Sequence, residues 1–374
     1  MPRPAAELPP LYATVQPGLE DIAAEEITRD LGGAVRKTDR GLVVFRVPDI
    51  SPDLLSLRTT EDVFLLAWGT DALTYRAADL DKIEKWTARE PDWPRLLQLH
   101  HGVHPKPKGK PTYRLVTQMT GEHGYRRVDA RKALARGLDG KLPASWKPAE
   151  ENAAVEVWLT IDGKQAVCGL RLSDAAMRHR TYKAEHLPAS LRPTVAAAMV
   201  RLAGAAPGDT VLDPLCGAGT ILAEQLALAR QRRAGAVRVV GGDVDPPAVR
   251  AAAANLRHVG PGWWLARWDA RRLPLAGRSV DRVVTNPPFG VQLGDPDQIG
   301  PLYRAVVAEA DRVLRPGGRA VFLVGTGALL QPAAAAAGWR PQRRVRLRVL
   351  GQPAELSVWR KPEATDTITT SPGP

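Results

Sequence analysis

The chain has 374 residues, enough for two or three domains, and its 44% apolar and 25% charged residues exclude a disordered, collagenous or fibrous protein. Its two cysteines, Cys168 and Cys216, cannot build a disulfide framework or a cysteine-rich zinc site, and no apolar run approaches 20 residues, so we expect a cytoplasmic protein that does not span a membrane. The formal net charge of +12 favours a polyanionic partner.

The first 70 residues predict a small α+β module. A short strand over residues 11–17 precedes an amphipathic helix, which ends at Gly32-Gly33. Alternating apolar residues then predict a hairpin and a buried strand. These strands cover residues 34–38, 41–47 and 62–68.

Residues 71–178 predict a second α+β module. The stretch from His100 to Arg114 is rich in Pro, Lys and His, and we expect that it does not form the interior of a regular element. The cluster of His100, His101 and His104 has no acidic or cysteine partners at metal-ligand spacing, so no metal site is expected. The other predicted elements are a helix over 79–90, a strand over 112–118, a basic helix over 125–137 and a hairpin of 154–160 with 165–172.

From residue 187 the chain alternates apolar strands with alanine-rich helices. This alternation is typical of a parallel, doubly wound α/β sheet. The polar, proline-containing tail over residues 362–374 is predicted to be disordered. The predicted strands cover residues 209–213, 238–242, 280–285 and 319–324.

The sequence TVLDPLCGAGTILAEQLA, which starts at Thr210, predicts a ligand site. An apolar strand ends at Asp213, and a loop with Gly217 and Gly219 leads to a helix that starts near Thr220. In a doubly wound sheet such a turn lies where ligands bind, and glycines let the backbone approach them. The chain lacks the G-x-x-x-x-G-K-[ST] motif, which excludes a nucleotide-hydrolysing P-loop. A tight turn with a purely structural role remains an alternative.

Acidic residues follow the next two apolar stretches. Asp243 and Asp245 come at the end of the second strand, where a carboxylate can accept hydrogen bonds from a ribose diol. Asp245 can instead cap the following helix, which begins with Pro246. Asp269 follows a further short apolar stretch and suits the exocyclic amine of an adenine.

The tetrapeptide Asn286-Pro287-Pro288-Phe289 directly follows the strand VDRVVT. Consecutive prolines fix the backbone of this turn. The Asn286 side-chain oxygen and a neighbouring carbonyl can accept both hydrogens of an exocyclic amino group, and Phe289 can stack on the base that carries it. We therefore predict chemistry on the amino group of a base.

The strings DPLCGAGT, GDVD and NPPFG, in this order and spacing, resemble S-adenosylmethionine-dependent methyltransferases that act on amino groups. Together with the segment HRTYKAEHLPASLRPTVAAAMVRLAG at 179–204, they resemble the THUMP-domain-containing RNA guanine-N2-methyltransferases. The resemblance implies a Rossmann-like class I methyltransferase domain over 179–361. It also implies a ferredoxin-like domain over 1–70 and an RNA-binding THUMP domain over 71–178.

The resemblance also implies a role for individual residues. Asn286, Pro287 and Phe289 would form the catalytic turn, and S-adenosylmethionine would be the cofactor. Residues of four segments, together with Asn286, would bind that cofactor. They are Leu187, Ala189, Pro193 and Thr194; Asp213, Cys216, Gly217, Gly219 and Thr220; Asp243 and Asp245; and Asp269 and Ala270.

The substrate implied by the resemblance is tRNA, methylated by a monomeric enzyme. Asn286 and Phe289 favour the type that acts at position 6 of the acceptor stem (TrmN-type), because dimethylating relatives that act at position 10 usually have Asp and Tyr there. Alternatives that remain open are methylation at position 10 or in rRNA, DNA adenine-N6 methylation, and RNA binding by a degenerate methyltransferase domain.

Two basic segments are candidates for RNA contact. Residues 104–147 carry 11 Lys or Arg against three Asp or Glu, whereas residues 1–103 carry 12 against 17. The arginine run over 343–348 alternates with apolar residues and predicts a half-exposed strand that either forms a sheet edge or contacts RNA. The candidates in the first segment are Lys106, Lys108, Lys110, Arg126, Arg127, Arg131 and Lys132.

Overall fold

The structure is a computed structural model that describes residues 7–105, 109, 111–188, 190–233, 235–290 and 296–363. The chain divides into two compact units, of which one is Met1–Val15 with Ala23–Met177 and the other is Gln16–Ile22 with Arg178–Pro374. Several predicted positions lie outside the described residues. They are Lys106, Lys108, Lys110, Ala189 and the tail from 364 to 374.

The first unit contains one eight-stranded sheet, and the strands and helices predicted for it are confirmed. The helices up to residue 179 are α1 (Glu20–Leu31), α2 (Asp79–Arg89), α3 (Trp93–Val103), α4 (Arg127–Gly137) and α5 (Ala175–His179), with a 3₁₀ turn at Pro52–Ser56. The strands are β1 (Leu11–Val15), β2 (Ala34–Asp39), β3 (Leu42–Arg46), β4 (Thr60–Thr70), β5 (Thr112–Thr120), β6 (Lys147–Pro148), β7 (Val155–Asp162) and β8 (Gln165–Arg171).

The strand order of this sheet is β2-β3-β1-β4-β8-β7-β5-β6. Because β4 pairs antiparallel with both β1 and β8, strands from residues 1–70 and 71–178 share the same sheet. Tyr12 and Phe64 stack on one face of the sheet with ring centroids 4.5 Å apart. The division into two domains at residue 70 remains a prediction.

The stretch from His100 was not expected to form the interior of a regular element, and this is wrong for its first residues, because α3 continues to Val103. Asp92 begins this helix by accepting a hydrogen bond of 3.1 Å from the Arg95 backbone N–H. His100 is 4% exposed, and burial lowers the pKa of its imidazole to about 4. As a neutral ring, His100 packs in the helix like an apolar residue, which the composition of the stretch did not reveal.

The second unit contains a seven-stranded sheet with the order β11-β10-β9-β12-β13-β15-β14. Its strands are β9 (Thr210–Asp213), β10 (Arg238–Asp243), β11 (Trp263–Arg267), β12 (Val280–Thr285), β13 (Leu314–Val324), β14 (Arg340–Val349) and β15 (Gln352–Arg360). Its helices are α6 (Pro193–Ala203), α7 (Thr220–Gln231), α8 (Pro246–Val259), α9 (Pro296–Val313) and α10 (Gly327–Ala336).

The predicted parallel sheet is confirmed for the strands from β11 to β13. The sequence did not predict that β15 and β14 extend it as antiparallel strands. After β9 the chain adds β10 and β11 on one side and then β12 on the other, which creates a topological switch point between β9 and β12. Ligands bind at such a point in doubly wound sheets.

Among the described residues, no helix combines the length and the apolar character that crossing a bilayer requires.

Candidate active site

The loop between β9 and α7 contains two glycines in the left-handed region. Gly217 has a φ of 50° and Gly219 has a φ of 74°, conformations that other residues rarely adopt. A Cβ atom at Gly219 would lie 3.0 Å from the Ala252 Cβ of α8, so the packing of α8 also requires glycine there. The loop therefore has a fixed shape at the start of α7.

Two carboxylates lie at the carboxyl ends of β9 and β10. Asp243 accepts hydrogen bonds from the backbone N–H groups of Gly217 at 3.0 Å and of Asp245 at 3.1 Å. Asp213 is 1% exposed, and burial, together with the negative charge of Asp243, raises its pKa to about 7. The carboxylate of Asp243 is thus held in one orientation at the end of its strand.

The raised pKa of Asp213 predicts a stability that falls with pH. An aspartate in the unfolded chain has a pKa of about 3.9. The protonated carboxyl of Asp213 therefore stabilises the folded state below that pH, and this stabilisation is lost as the pH rises through about 7. Asp213→Asn removes this titration. Thermal unfolding without ligand gives the Tm of the variant and of the wild type at each pH. We expect the Tm of the variant minus that of the wild type to be more positive at pH 8 than at pH 5. The same difference at both pH values would contradict the raised pKa.

The turn Asn286–Phe289 directly follows β12. The Tyr303 hydroxyl of α9 donates a hydrogen bond of 3.0 Å to the Pro288 carbonyl oxygen. A Cβ atom at Gly325 would lie 3.2 Å from the Phe289 Cβ, so Phe289 packs directly against that glycine. The Asn286 Oδ1 atom is buried and has no hydrogen-bond partner among the described residues. A buried acceptor of this kind marks the place of a ligand donor.

Residues 180–188, together with 190 and 191, form a wall of the site that α7 holds through Glu224. The Arg180 Nε lies 3.0 Å from the Glu224 Oε1, and the Tyr182 hydroxyl donates to the same oxygen at 2.7 Å. The side chain of Glu224 is 0% exposed and that of Arg180 is 7% exposed. This ion pair therefore anchors the beginning of the wall in the protein interior.

Asn255 of α8 joins the same wall to the glycine loop. Its Nδ2 donates to the carbonyl oxygens of Glu185 at 3.0 Å and of Ala218 at 2.9 Å. Its Oδ1 accepts a bond of 2.9 Å from the Glu185 backbone N–H. The Asn255 side chain thus fixes the spacing between the wall and the glycine loop.

These elements enclose a cavity of about 580 Å³, within the size range of small-molecule sites. The predicted site residues that line it come from the wall, the glycine loop, the end of β10 and the turn after β12. They are Leu187, Asp213, Cys216, Gly217, Thr220, Asp243, Asp245, Asn286, Pro287 and Phe289.

Five of the predicted cofactor residues that the structure describes are not among those that line the cavity. Asp269 forms an ion pair of 2.6 Å with Arg271, and the hydrogen bonds from Arg271 lower the pKa of that carboxyl. Asp245 lines the cavity at the N-cap position of α8, but its side chain makes no capping hydrogen bond; the two prolines that follow it also lack backbone N–H groups. The five residues are Pro193, Thr194, Gly219, Asp269 and Ala270.

The sequence prediction missed the contribution of the C-terminal hairpin, which consists of β14 and β15. Val349, Leu350 and Gln352 from its tip line the cavity. The dipeptide Leu350-Gly351, placed between two stretches of alternating residues, is a weak turn signal that could have revealed the hairpin. Its position next to the cavity depends on the order of the strands in the sheet, which no local pattern shows.

The predicted basic surface in the first unit lies on and before α4. Arg127, Arg131 and Lys132 are exposed. Arg126 is also exposed, but it forms an ion pair of 3.1 Å with Asp129, which reduces its availability to a phosphate.

Comparison with known proteins identifies the family of this chain. Residues 180–352 match the family UPF0020, described as RMKL-like, methyltransferase domain. The tRNA (guanine(6)-N2)-methyltransferase of Thermus thermophilus is 31% identical over 328 residues, which cover 86% of this chain and 91% of that protein. This chain belongs to the tRNA (guanine-N2)-methyltransferase family.

The family consists of S-adenosylmethionine-dependent methyltransferases, so this chain is an enzyme of that class. The crystal structure of TrmN from Thermus thermophilus superposes with a TM-score of 0.76 at 27% identity and covers 94% of this chain and 99% of that one. The mouse tRNA (guanine(6)-N(2))-methyltransferase THUMP3 is 34% identical, but the match covers 50% of this chain and 39% of that protein. The α/β methyltransferase fold predicted for the C-terminal half is confirmed.

Proposed function

We propose that this enzyme methylates the N2 amino group of a guanine in tRNA, at position 6 of the acceptor stem. The buried Asn286 Oδ1 at the cavity, which has no hydrogen-bond partner among the described residues, carries the proposal, because it is an acceptor that suits an exocyclic amino group. The names of the relatives from Thermus thermophilus and mouse, both of which specify guanine 6, support the nucleotide position.

The residues around the cavity fit S-adenosylmethionine, which supplies an electrophilic methyl group when bound. Asp243 would accept hydrogen bonds from the ribose hydroxyls, and the loop from Asp213 to Thr220 would hold the methionine portion. Leu187 would cover the cofactor from the wall. Contacts of Asp269 and Ala270 with the adenine remain predictions.

The turn after β12 would position the target base. The guanine must leave its base stack, because its amino group is unreachable inside a helix. Asn286 Oδ1 and the Pro287 carbonyl would accept its N2 hydrogens and direct the nitrogen lone pair into the cavity, while Phe289 would stack on the ring. The guanine amine is a poor nucleophile, so we attribute most of the rate enhancement to positioning and electrostatics.

Asp243 and Asp245 are distinguished by their hydrogen bonds. Since backbone N–H groups fix the carboxylate of Asp243, we expect Asp243→Ala to raise the Kd for S-adenosylmethionine by about 10- to 100-fold, the loss of hydrogen bonds to a charged group. Asp245→Ala should have a smaller effect. Isothermal titration calorimetry on both variants tests this, and a larger loss in Asp245→Ala would move the ribose role to Asp245.

We further propose that the first unit binds the tRNA, as a ferredoxin-like domain over 1–70 followed by a THUMP domain over 71–178. The exposed Arg127, Arg131 and Lys132 support this, because basic side chains bind phosphates. A cytoplasmic, monomeric enzyme completes the proposal.

The experiment is methyl transfer from labelled S-adenosylmethionine to unmodified tRNA transcripts, followed by nucleoside analysis. We expect labelled N2-methylguanosine, lost when guanine 6 of the transcript is replaced by adenine and retained when guanine 10 is replaced. Loss only on replacement of guanine 10 would correct the position. Label in rRNA or in DNA adenine, with none in tRNA, would refute the substrate but keep the reaction class.

A further inference from the structure

The C-terminal hairpin has an unusual tip beside the cavity. Val349 pairs with Gln352, so Leu350 and Gly351 form a two-residue turn, and both have positive φ values of 49° and 81°. Asn or Gly is preferred at the first position of such a turn, where leucine is strained by about 1–2 kcal/mol. The Leu350 side chain is nevertheless 49% exposed and lines the cavity. A strained, exposed apolar residue at this place indicates a function in ligand contact.

The strand that leads to this tip presents a row of arginines. Arg344, Arg346 and Arg348 alternate with the less exposed Val345 and Leu347. Alternation places the three arginines on one face of β14, at intervals of about 6.8 Å. Because β14 is the outermost strand of the sheet, this row lies at the edge of the unit.

The arginines of this row differ from other arginines of the unit in their ion pairing. Among the described residues, no carboxylate lies within ion-pair distance of these three guanidinium groups, whereas Arg271, Arg312 and Arg315 each have a carboxylate partner. Glu355 is opposite Arg346 in the strand register, and its buried Oε1 makes no hydrogen bond in the described structure.

Two arginines of the row also have defined positions. The Arg344 guanidinium lies 5.6 Å from the ring centroid of Trp359, a cation–π arrangement. Arg348 donates a hydrogen bond to the Gly351 carbonyl oxygen and thus holds the tip turn. The row is therefore an ordered positive surface that ends next to Val349 and Leu350, which line the cavity.

We propose that the C-terminal hairpin is an RNA-binding platform, in which Arg344, Arg346 and Arg348 contact phosphates beside the target guanosine and Leu350 packs against that nucleotide or its neighbour. The proposal rests on the proposed function, because the ligand is the RNA whose base enters the cavity. Proteins use apolar side chains in this way next to displaced bases, and arginine spacing on a strand suits successive phosphates.

The first test measures the Kd of tRNA transcripts for Arg344→Ala/Arg346→Ala by fluorescence anisotropy as salt is varied. We expect the Kd to rise at least about tenfold near 0.1 M salt and the slope of log Kd against log salt to fall by about 1.5, since each lost phosphate contact contributes about 0.7–0.9. Arg257→Ala, an exposed arginine on α8, is the matched control and should bind tRNA like the wild type. The Kd for S-adenosylmethionine is measured in parallel to verify the folded site.

The second test uses Leu350→Asn, which suits the turn better. We expect its Tm to equal or exceed that of the wild type while its Kd for tRNA rises several-fold. An unchanged Kd for tRNA in both variants would overturn the proposal. Self-association of the arginine variant without loss of RNA affinity would also overturn it, because that result indicates that the arginines protect the sheet edge from pairing with another chain. If the wild type neither binds nor methylates tRNA, the proposed function is wrong and the platform proposal fails with it.

Discussion

Asn286→Ala is expected to lower kcat for methyl transfer by at least about 100-fold, while the Kd for S-adenosylmethionine changes by less than about fivefold. The reason is the buried Oδ1, which has no partner among the described residues and is the proposed acceptor for the guanine amino group. Removing one well-positioned polar group from an active site costs about 10²–10³ in kcat. Single-turnover methylation of tRNA with saturating cofactor measures the chemical step, and calorimetry measures cofactor binding.

Two further variants of Asn286 separate the chemistry of the side chain from its position. Asn286→Asp keeps the size and one acceptor oxygen, so we expect activity between that of Asn286→Ala and the wild type. Asn286→Gln keeps the amide but moves it by one methylene group, and we expect a loss close to that of alanine because Tyr303 fixes the backbone of the turn through the Pro288 carbonyl. Full activity in Asn286→Ala would refute the catalytic role.

The sequence predicted the centre of this site because its residues follow the ends of consecutive parallel strands. Asp213, Asp243 and Asn286 come at or directly after the ends of β9, β10 and β12, and parallel strands place their carboxyl ends along one edge of a sheet. Local motifs together with the predicted fold class therefore brought these residues together correctly. The glycine loop was predicted for the same reason, since its backbone conformation is encoded locally.

The wall and the hairpin could not be derived in this way, because their contacts join distant parts of the chain. Arg180 and Glu224 are 44 positions apart, and Glu185 and Asn255 are 70 apart. Nothing local in either member of such a pair specifies its partner. In the same way, the alternation of arginines from residue 343 indicated a strand, but did not show that the tip of a hairpin reaches the cavity.

Asp269 has a competing interaction that local reasoning did not weigh, and its contact with the cofactor stays a prediction. Its position after an apolar strand suggested a cofactor contact, but the sequence also places Arg271 two residues later. The structure shows that the Asp269 carboxylate is engaged by that guanidinium at 2.6 Å. A nearby charge of opposite sign is therefore a competing partner that should be weighed whenever an acidic residue is assigned to a ligand.

Glu224→Gln is expected to destabilise the second unit by about 3–5 kcal/mol, because it removes the negative charge that faces the buried guanidinium of Arg180. For a unit of this size we expect a fall in Tm of about 10 °C. The wall it anchors contributes Leu187 and Leu191 to the cavity, so the Kd for S-adenosylmethionine should rise as well. Thermal unfolding followed by calorimetry measures the first effect, and ligand titration at 10 °C measures the second.

The matched control is Glu363→Gln, which alters an exposed pair in the same unit. The Arg360 Nη2 lies 2.8 Å from the Glu363 Oε1, and both side chains are about half exposed, so we expect a change of about 1 kcal/mol or less. Arg180→Met/Glu224→Leu replaces the buried pair with apolar side chains and should recover at least half of the lost stability. If this double variant is no more stable than Glu224→Gln, the buried charge of Arg180 does not cause the loss of stability. The lost hydrogen bond from Tyr182 would then have to account for it.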